Sequence, residues 1–184
     1  MRKVVYGINL TADGCCEHTK GNGGADIHVY FTELLKEADL IVYGRKTYEL
    51  MVPFWPDMAK EQSGPETVNN FAKAFDALDR IVFSKTLKSA DDRTKIIRSN
   101  PAEEILKLKQ QPGKDISIGG VDLPSQLIEQ GLVDEFHFVI HPYLAGEGRR
   151  LFDTMKMPEQ QRLQLVESKV LPSGSVALKY IKQG

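Results

Sequence analysis

Cysteine is scarce in this sequence, and the two that occur, Cys15 and Cys16, are neighbours. Adjacent cysteines provide neither an ordinary intradomain disulfide nor the spaced ligands of a zinc cluster. Long apolar runs are missing as well, because the longest, at residues 40–43 and 136–140, are far shorter than the roughly 18 residues of a membrane span. An excess of positive charge is also absent, since the 24 Lys and Arg residues are balanced by 25 Asp and Glu residues. We therefore expect a cytoplasmic protein with no metal, membrane or nucleic-acid partner.

Several common site motifs are absent too. No predicted strand is followed by the dinucleotide fingerprint G-x-G-x-x-G, and no nucleophile elbow or zinc-type His/Cys spacing occurs. Gly44-Arg45-Lys46-Thr47 is similar to the end of a P-loop, but Arg45 separates the glycine from the lysine and position 39 is Asp. The sequence therefore predicts neither a nucleophilic hydrolase nor a P-loop enzyme.

Short apolar runs alternate with amphipathic stretches along the chain. They predict strands at residues 3–10, 39–43, 80–84, 95–98 and 115–118, and helices at 25–38, 47–51, 65–78, 101–110 and 125–130. Pro53, Pro56 and Gly64 bracket a predicted loop that contains Trp55. Three strand-like runs follow residue 132: VDEFHFVIHPY, LQLVESKV and SVALKYIK. This order predicts an α/β fold in one domain, residues 1–184, whose mostly parallel sheet ends in a C-terminal antiparallel hairpin.

Glycine, basic and hydroxyl residues follow three of the predicted strands at their carboxyl ends, where ligands bind in open α/β sheets. The clusters are the 44–47 segment (Gly44, Arg45, Lys46, Thr47), the pair Ser84 and Lys85, and the 119–122 segment (Gly119, Gly120, Val121, Asp122). Glycines let the backbone approach a ligand closely, helix N-termini offer N–H groups, and cations add charge-assisted bonds to phosphate. Together the clusters predict a site for a phosphorylated dinucleotide.

Four stretches of this sequence resemble a known family. GRKTYE at 44–49, VFSKTL at 82–87 and IGG at 118–120 resemble the dihydrofolate reductase superfamily. The block GLVDEFHFVIHPYLAGEGRRLF at 131–152 is similar to the C-terminal reductase domain of the bifunctional riboflavin-biosynthesis deaminase-reductase and to its stand-alone bacterial relatives. With Asp13-Gly14 after the first strand, the resemblance covers essentially the whole chain. It implies the dihydrofolate reductase-like three-layer fold.

The resemblance also implies an NADPH-dependent reductase. The 44–47 segment would hold the pyrophosphate and the region of the 2′-phosphate, and Ser84 and Lys85 would lie near the adenosine 2′-phosphate. The 119–122 segment would close over the pyrophosphate, with a cis peptide between Gly119 and Gly120. The terminal strands would form a homodimer.

For the substrate, the resemblance implies a small pyrimidine, pteridine or ribosylaminopyrimidine, as in the reduction of 5-amino-6-(5-phosphoribosylamino)uracil. Asn9 and Asp13 would approach the nicotinamide and the substrate. Asp26 is the nearest counterpart of the acid that holds the pterin, and His28 or Glu33 would take its place if the register shifts. The proton would come from Asp13, Asp26, a histidine or water.

This sequence departs from the folate reductases at the substrate side. Residues 15–24 replace their Leu-Pro-Trp-like stretch, and Pro124 stands where they carry an aromatic hydroxyl. Trp55 is predicted either to cap the substrate pocket or to anchor its loop. A non-catalytic NADP(H)-binding protein and an atypical dihydrofolate reductase remain the two alternatives to the reductase prediction.

Overall fold

The computed structural model describes residues 1–17, 19, 23–153, 157 and 160–183 of the chain. Its strands are β1 (Val4–Thr11), β2 (Ala38–Gly44), β3 (Asp79–Phe83), β4 (Thr94–Ile97), β5 (Asp115–Ile118), β6 (Glu135–His141), β7 (Leu163–Val170) and β8 (Val176–Lys182). All of them join one sheet in the order β4-β3-β2-β5-β1-β6-β8-β7. Pairing is parallel from β4 to β6, and the last two strands pair antiparallel. The predicted α/β fold with its C-terminal hairpin is confirmed.

Helices cover both faces of the sheet and make three layers. They are α1 (Ala25–Lys36), α2 (Arg45–Met51), α3 (Phe54–Glu61), α4 (Glu66–Asp76), α5 (Pro101–Gln110) and α6 (Asp122–Glu129). Side chains along β2 point alternately to the two faces of the sheet. Leu40 and Val42 pack on the side of α5 and α6, and Ile41 and Tyr43 pack on the side of α1–α4. A central parallel strand is buried on both faces and therefore reads as a continuous apolar run. No helix among the described residues is long and apolar enough to cross a membrane.

Three helix predictions needed correction. The stretch after Pro53 is not a loop but α3, because Pro56 falls in the first turn of a helix, where its missing N–H breaks no helical hydrogen bond. Trp55 is therefore a helical residue. Helix α2 begins at Arg45, directly after β2, and α6 begins at Asp122, with three residues between it and the end of β5, so each starts earlier than predicted. The 44–47 and 119–122 segments thus include the first residues of these helices.

A buried charge cluster links β6 to β8 and α1. The Glu135 carboxylate accepts a hydrogen bond from His137 Nε2 at 2.8 Å and pairs with Lys179 Nζ at 2.9 Å. The other ring nitrogen of His137 lies 2.7 Å from the Tyr30 hydroxyl. Hydrogen bonding from His137 and then the charge of Lys179 lower the pKa of Glu135 to about 2, although burial opposes them. The ionised carboxylate therefore stabilises the folded state.

We expect stability to fall in acid because of Glu135. Its pKa is lower in the folded chain than in the unfolded chain, so this contribution is complete above the unfolded value of 4.5 and is lost as the pH falls towards about 2. The loss is on the order of 2–3 kcal/mol. Urea unfolding between pH 6 and 2 measures it, and Glu135→Gln should flatten the curve, whereas Glu33→Gln, in an exposed pair with Lys36, should not. If the free energy of unfolding of Glu135→Gln depends on pH just as that of the wild type does, the prediction is contradicted.

Candidate functional site

A cavity of about 1040 Å³ lies at the carboxyl ends of β1, β2 and β5. The first residues of α2 and α6, one side of α1, and residues from the loops that follow β1 and β6 complete its walls. Its volume is at the upper end of the roughly 300–1,000 Å³ typical of small-molecule pockets. The cavity occupies the edge at which open α/β sheets bind their ligands.

One wall of the cavity is built from the 44–47 and 119–122 segments, which touch each other. Gly120 has a φ of 89°, and a Cβ atom on it would overlap the Thr47 hydroxyl. A Cβ on Gly119 would lie 2.7 Å from the Tyr43 ring. The buried Tyr6 hydroxyl donates a hydrogen bond to the Gly120 carbonyl at 2.8 Å and holds the turn. Only glycines allow this close approach.

The expected cis peptide between Gly119 and Gly120 is wrong. Among the described residues, the cis peptide is Val52–Pro53. The positive φ of Gly120 makes the sharp turn from β5 into α6 with a trans peptide, since glycine adopts this region without a steric penalty.

Charged side chains stand around this wall. Arg45 forms an exposed pair with Glu49 at 3.4 Å, and Lys46 follows it on the same helix. Arg149, from the loop after β6, pairs with Asp122 at the start of α6. The hydrogen bond from Arg149 lowers the pKa of Asp122 and keeps it ionised. Every residue of the 44–47 and 119–122 segments lines the cavity.

Part of the cavity lining is aromatic. His28 and Phe31 of α1 line it together with Trp55 and Phe71. The Trp55 ring lies with its centroid 4.5 Å from that of Phe71 and 6.0 Å from that of His28. Aromatic faces and edges provide flat apolar surfaces for a planar ring. Asn9, at the end of β1, adds a polar amide to this lining.

Asp13 does not line the cavity, and its approach to the nicotinamide and the substrate stays a prediction. Its carboxylate accepts hydrogen bonds from the Thr11 hydroxyl and from the backbone N–H groups of Ala145 and Gly146, the latter two at 3.0 and 2.9 Å. These bonds, that from Thr11 first, hold its pKa well below the usual range. Arg150 pairs with it as well. Asp13 therefore anchors the loop after β6 and cannot supply a proton near neutral pH.

Asp26 does not line the cavity either, and its role as a catalytic acid stays a prediction. It stands in the first turn of α1 and accepts a hydrogen bond from the Ser173 backbone N–H at 2.7 Å. This bond ties the β7–β8 turn to the helix. Of the two alternatives, His28 lines the cavity, while Glu33 is exposed and pairs with Lys36.

Ser84 and Lys85 follow β3 beside the cavity but do not line it. The Ser84 hydroxyl oxygen accepts hydrogen bonds from the backbone N–H groups of Thr86 and Leu87, the latter at 2.9 Å, and so caps a turn. Lys85 is exposed. Their contact with a 2′-phosphate stays a prediction.

Arg149 and His141 line the cavity, although neither is among the predicted catalytic, cofactor-binding or substrate-binding residues. Only the fold shows that Arg149 reaches Asp122, which lies 27 positions away in the chain. Cys16 lines the cavity too, and burial raises the pKa of its thiol to about 11, which leaves a weak nucleophile. Residues 18 and 20–22 of the segment that departs from the folate reductases lie outside the described residues.

No group of three or more His, Cys, Asp or Glu side chains in the described ranges suits a metal ion. The lining offers instead both a glycine wall with cations and an aromatic surface. This arrangement suits an elongated ligand that carries both phosphate and planar rings.

Comparisons with known proteins identify the family of this chain. The profile of a family described as RibD C-terminal domain matches residues 2–177. The uncharacterized protein YyaP of Bacillus subtilis (strain 168) is 34% identical over 183 residues, which cover 97% of this chain and 94% of YyaP. YwjB of the same organism is 24% identical over 175 residues, covering 89% of this chain and 90% of YwjB.

Solved structures share the fold. A putative riboflavin biosynthesis protein from Shewanella sp. PV-4 superposes with a TM-score of 0.74 at 18% identity, covering all of both chains. A pyrimidine reductase-like protein from Corynebacterium diphtheriae gives 0.67 at 16% identity, covering all of this chain and 92% of that one. RibD of Acinetobacter baumannii gives 0.68 at 16% identity, and the match covers all of this chain and 58% of that chain.

Proposed function

This chain belongs to the RibD C-terminal domain family, and we propose that it is an NADPH-dependent oxidoreductase that reduces a small pyrimidine, pteridine or ribosylaminopyrimidine. The observation that carries the proposal is that one cavity is lined both by a glycine wall with cations and by an aromatic surface. A reductase of this kind needs a dinucleotide and a flat substrate side by side. It needs no nucleophile or metal, because the cofactor supplies the hydride.

The residues of the glycine wall fit NADPH. Gly119 and Gly120 leave backbone free of side chains, and among the described residues no side chain caps the first turn of α6. A pyrophosphate there would meet free N–H groups and the positive end of the helix dipole. Arg45 and Lys46 would bind the 2′-phosphate. The exposed ion pair between Arg45 and Glu49 is weak, so the Arg45 guanidinium could also pair with this phosphate. The protein would thus bind and orient the cofactor.

The aromatic surface of the cavity fits a planar heterocyclic substrate. His28, Phe31 and Trp55 would pack against a planar heterocycle and exclude water from it. Asn9 provides the polar contact that an apolar pocket needs in order to orient a ring with amide groups. Asp13 and Asp26 do not line the cavity, so a proton would come from another group or from water.

Calorimetry with NADPH and NADH tests the cofactor. We expect NADPH to bind more tightly by about 1.5–3 kcal/mol, roughly tenfold or more, because the 2′-phosphate gains charge-assisted bonds. Arg45→Ala should remove much of this preference and leave NADH affinity nearly unchanged. Lys60→Ala, which removes an exposed cation from the helical pair with Asp57 outside the cavity, is the matched control. Equal affinity for both nucleotides, or none for either, contradicts the proposal.

A further inference from the structure

A line of hydrogen bonds runs from the β7–β8 turn to the cavity. The hydroxyl of Ser173, which is exposed in the turn, donates to Ser175 Oγ at 3.0 Å. Ser175 Oγ lies 3.4 Å from His141 Nδ1, and His141 Nε2 lies 3.1 Å from Asn9 Oδ1. Ser175 and His141 are 1% and 4% exposed, so bulk water cannot replace either partner. The line ends on the amide of Asn9, which lines the cavity.

The partners of His141 determine which of its ring nitrogens carries hydrogen. Ser175 Oγ accepts from the Ser173 hydroxyl, so its own hydrogen is directed to His141 Nδ1. Burial lowers the pKa of His141 despite the opposing charge of Asp26, and the ring is neutral at pH 7. Nδ1 is then the acceptor of the neutral ring, so Nε2 carries the hydrogen and donates to Asn9 Oδ1. Every hydrogen in the line points towards the cavity.

This line fixes the orientation of the Asn9 amide. An asparagine amide can present either its oxygen or its NH₂ group to a ligand. Here Oδ1 is held by His141, so Nδ2 is the group that is left for the cavity. Within the part of the chain that the structure describes, Nδ2 has no hydrogen-bond partner, and the Asn9 side chain is exposed. The cavity therefore offers two N–H donors at this point.

We infer that Asn9 recognises a planar carbonyl group of the bound ligand, and that His141 and Ser175 are positioning residues that fix its amide. The inference rests on the proposed function for the identity of the ligand. Two sources have this chemistry, namely the lactam carbonyl of a pyrimidine or pteridine and the carboxamide of the nicotinamide. A ligand that presented a donor to Nδ2 would leave two donors face to face and would be rejected.

The geometry can be tested without any ligand. Nitrogen-15 NMR of the full-length protein distinguishes the two neutral tautomers of His141. We expect the Nε2–H tautomer in the wild type and a mixture in Ser175→Ala, because Nδ1 loses its donor there. A merely structural contact would not change the tautomer. An Nδ1–H tautomer in the wild type would mean that the Asn9 oxygen faces the cavity, and it would overturn the inference.

Recognition is tested with Asn9→Asp, whose carboxylate still accepts from His141 but replaces the two donors by an oxygen. Gln126→Glu adds the same charge elsewhere on the lining and measures the effect of charge alone. Calorimetry uses NADPH and uracil as separate probes. We expect Asn9→Asp to weaken one probe by roughly tenfold more than Gln126→Glu does, because it loses a hydrogen bond and gains repulsion.

The probe whose affinity falls identifies the carbonyl group. Weaker binding of NADPH indicates the carboxamide of the nicotinamide, and weaker binding of uracil indicates the lactam. Equal weakening by both variants overturns recognition by Asn9. If the wild type binds neither probe, the proposed function fails and recognition of a nicotinamide or lactam carbonyl fails with it. The tautomer measurement then still decides the orientation of the amide.

Discussion

Replacing Gly120 by alanine is expected to weaken NADPH binding by roughly tenfold or more. It should also lower the free energy of unfolding by about 2–4 kcal/mol. The new Cβ would overlap the Thr47 hydroxyl, and an L residue is strained at a φ of 89°. Either the 44–47 segment or the turn after β5 must move, so the wall proposed for the pyrophosphate loses its shape. Calorimetry and urea unfolding measure the two effects.

Two further variants separate the overlap from the backbone strain. Gly14 has a φ of 81° but nothing within 4 Å of its added Cβ, so Gly14→Ala should show only the strain of about 1–2 kcal/mol. Adding Thr47→Ala to Gly120→Ala removes the hydroxyl and should recover most of the difference. If Gly120→Ala and Gly14→Ala are equally mild, the two segments do not touch as described.

Arg80→Ala is expected to lower the free energy of unfolding by about 3–5 kcal/mol. The Arg80 side chain is 1% exposed, and its guanidinium pairs with Asp91 at 2.6 Å. It also donates to the backbone carbonyls of Phe75 and Leu78 at 3.3 and 3.2 Å. Removing it leaves these acceptors without their donor and opens a void between β3 and α4. Chemical denaturation measures the loss.

Arg93→Ala is the matched control for Arg80. Its guanidinium donates to the Asp76 carbonyl at 2.7 Å, but the side chain is exposed, so we expect a change within about 0.5 kcal/mol. Arg80→Met, which fills most of the void, should lose less than Arg80→Ala. Equal losses in Arg80→Ala and Arg93→Ala would mean that the buried ion pair of Arg80 contributes nothing beyond the exposed hydrogen bond of Arg93.

Much of the fold was predictable because its signals are local. A central strand such as β2 is apolar on both faces, and α5 begins at Asn100-Pro101, where the asparagine side chain accepts from the Ala102 N–H. The exception was α3, whose prolines suggested a loop. Proline ends a helix in its interior but is tolerated in the first turn, and the sequence does not say which of the two applies.

The cofactor side of the candidate site was also predictable in position. The 44–47 and 119–122 segments directly follow parallel strands, and the carboxyl ends of such strands meet at one edge. Glycines at these positions indicate a tight turn or a close approach of the backbone to a ligand. The cofactor, the substrate and the homodimer stay predictions.

The sequence by itself therefore determined the order of the elements and the edge of the sheet that carries the cavity, since periodicity and glycine spacing act over a few residues. Only the tertiary structure decided which polar side chains face that cavity. The Asp13 carboxylate accepts a hydrogen bond from the Ala145 N–H, 132 positions away, and the Asp26 carboxylate accepts one from the Ser173 N–H, 147 positions away. His141 is hydrogen-bonded to Asn9, which lies 132 positions before it. A side chain in a loop turns towards whichever partner satisfies its hydrogen bonds, and for these residues that partner is distant in the chain.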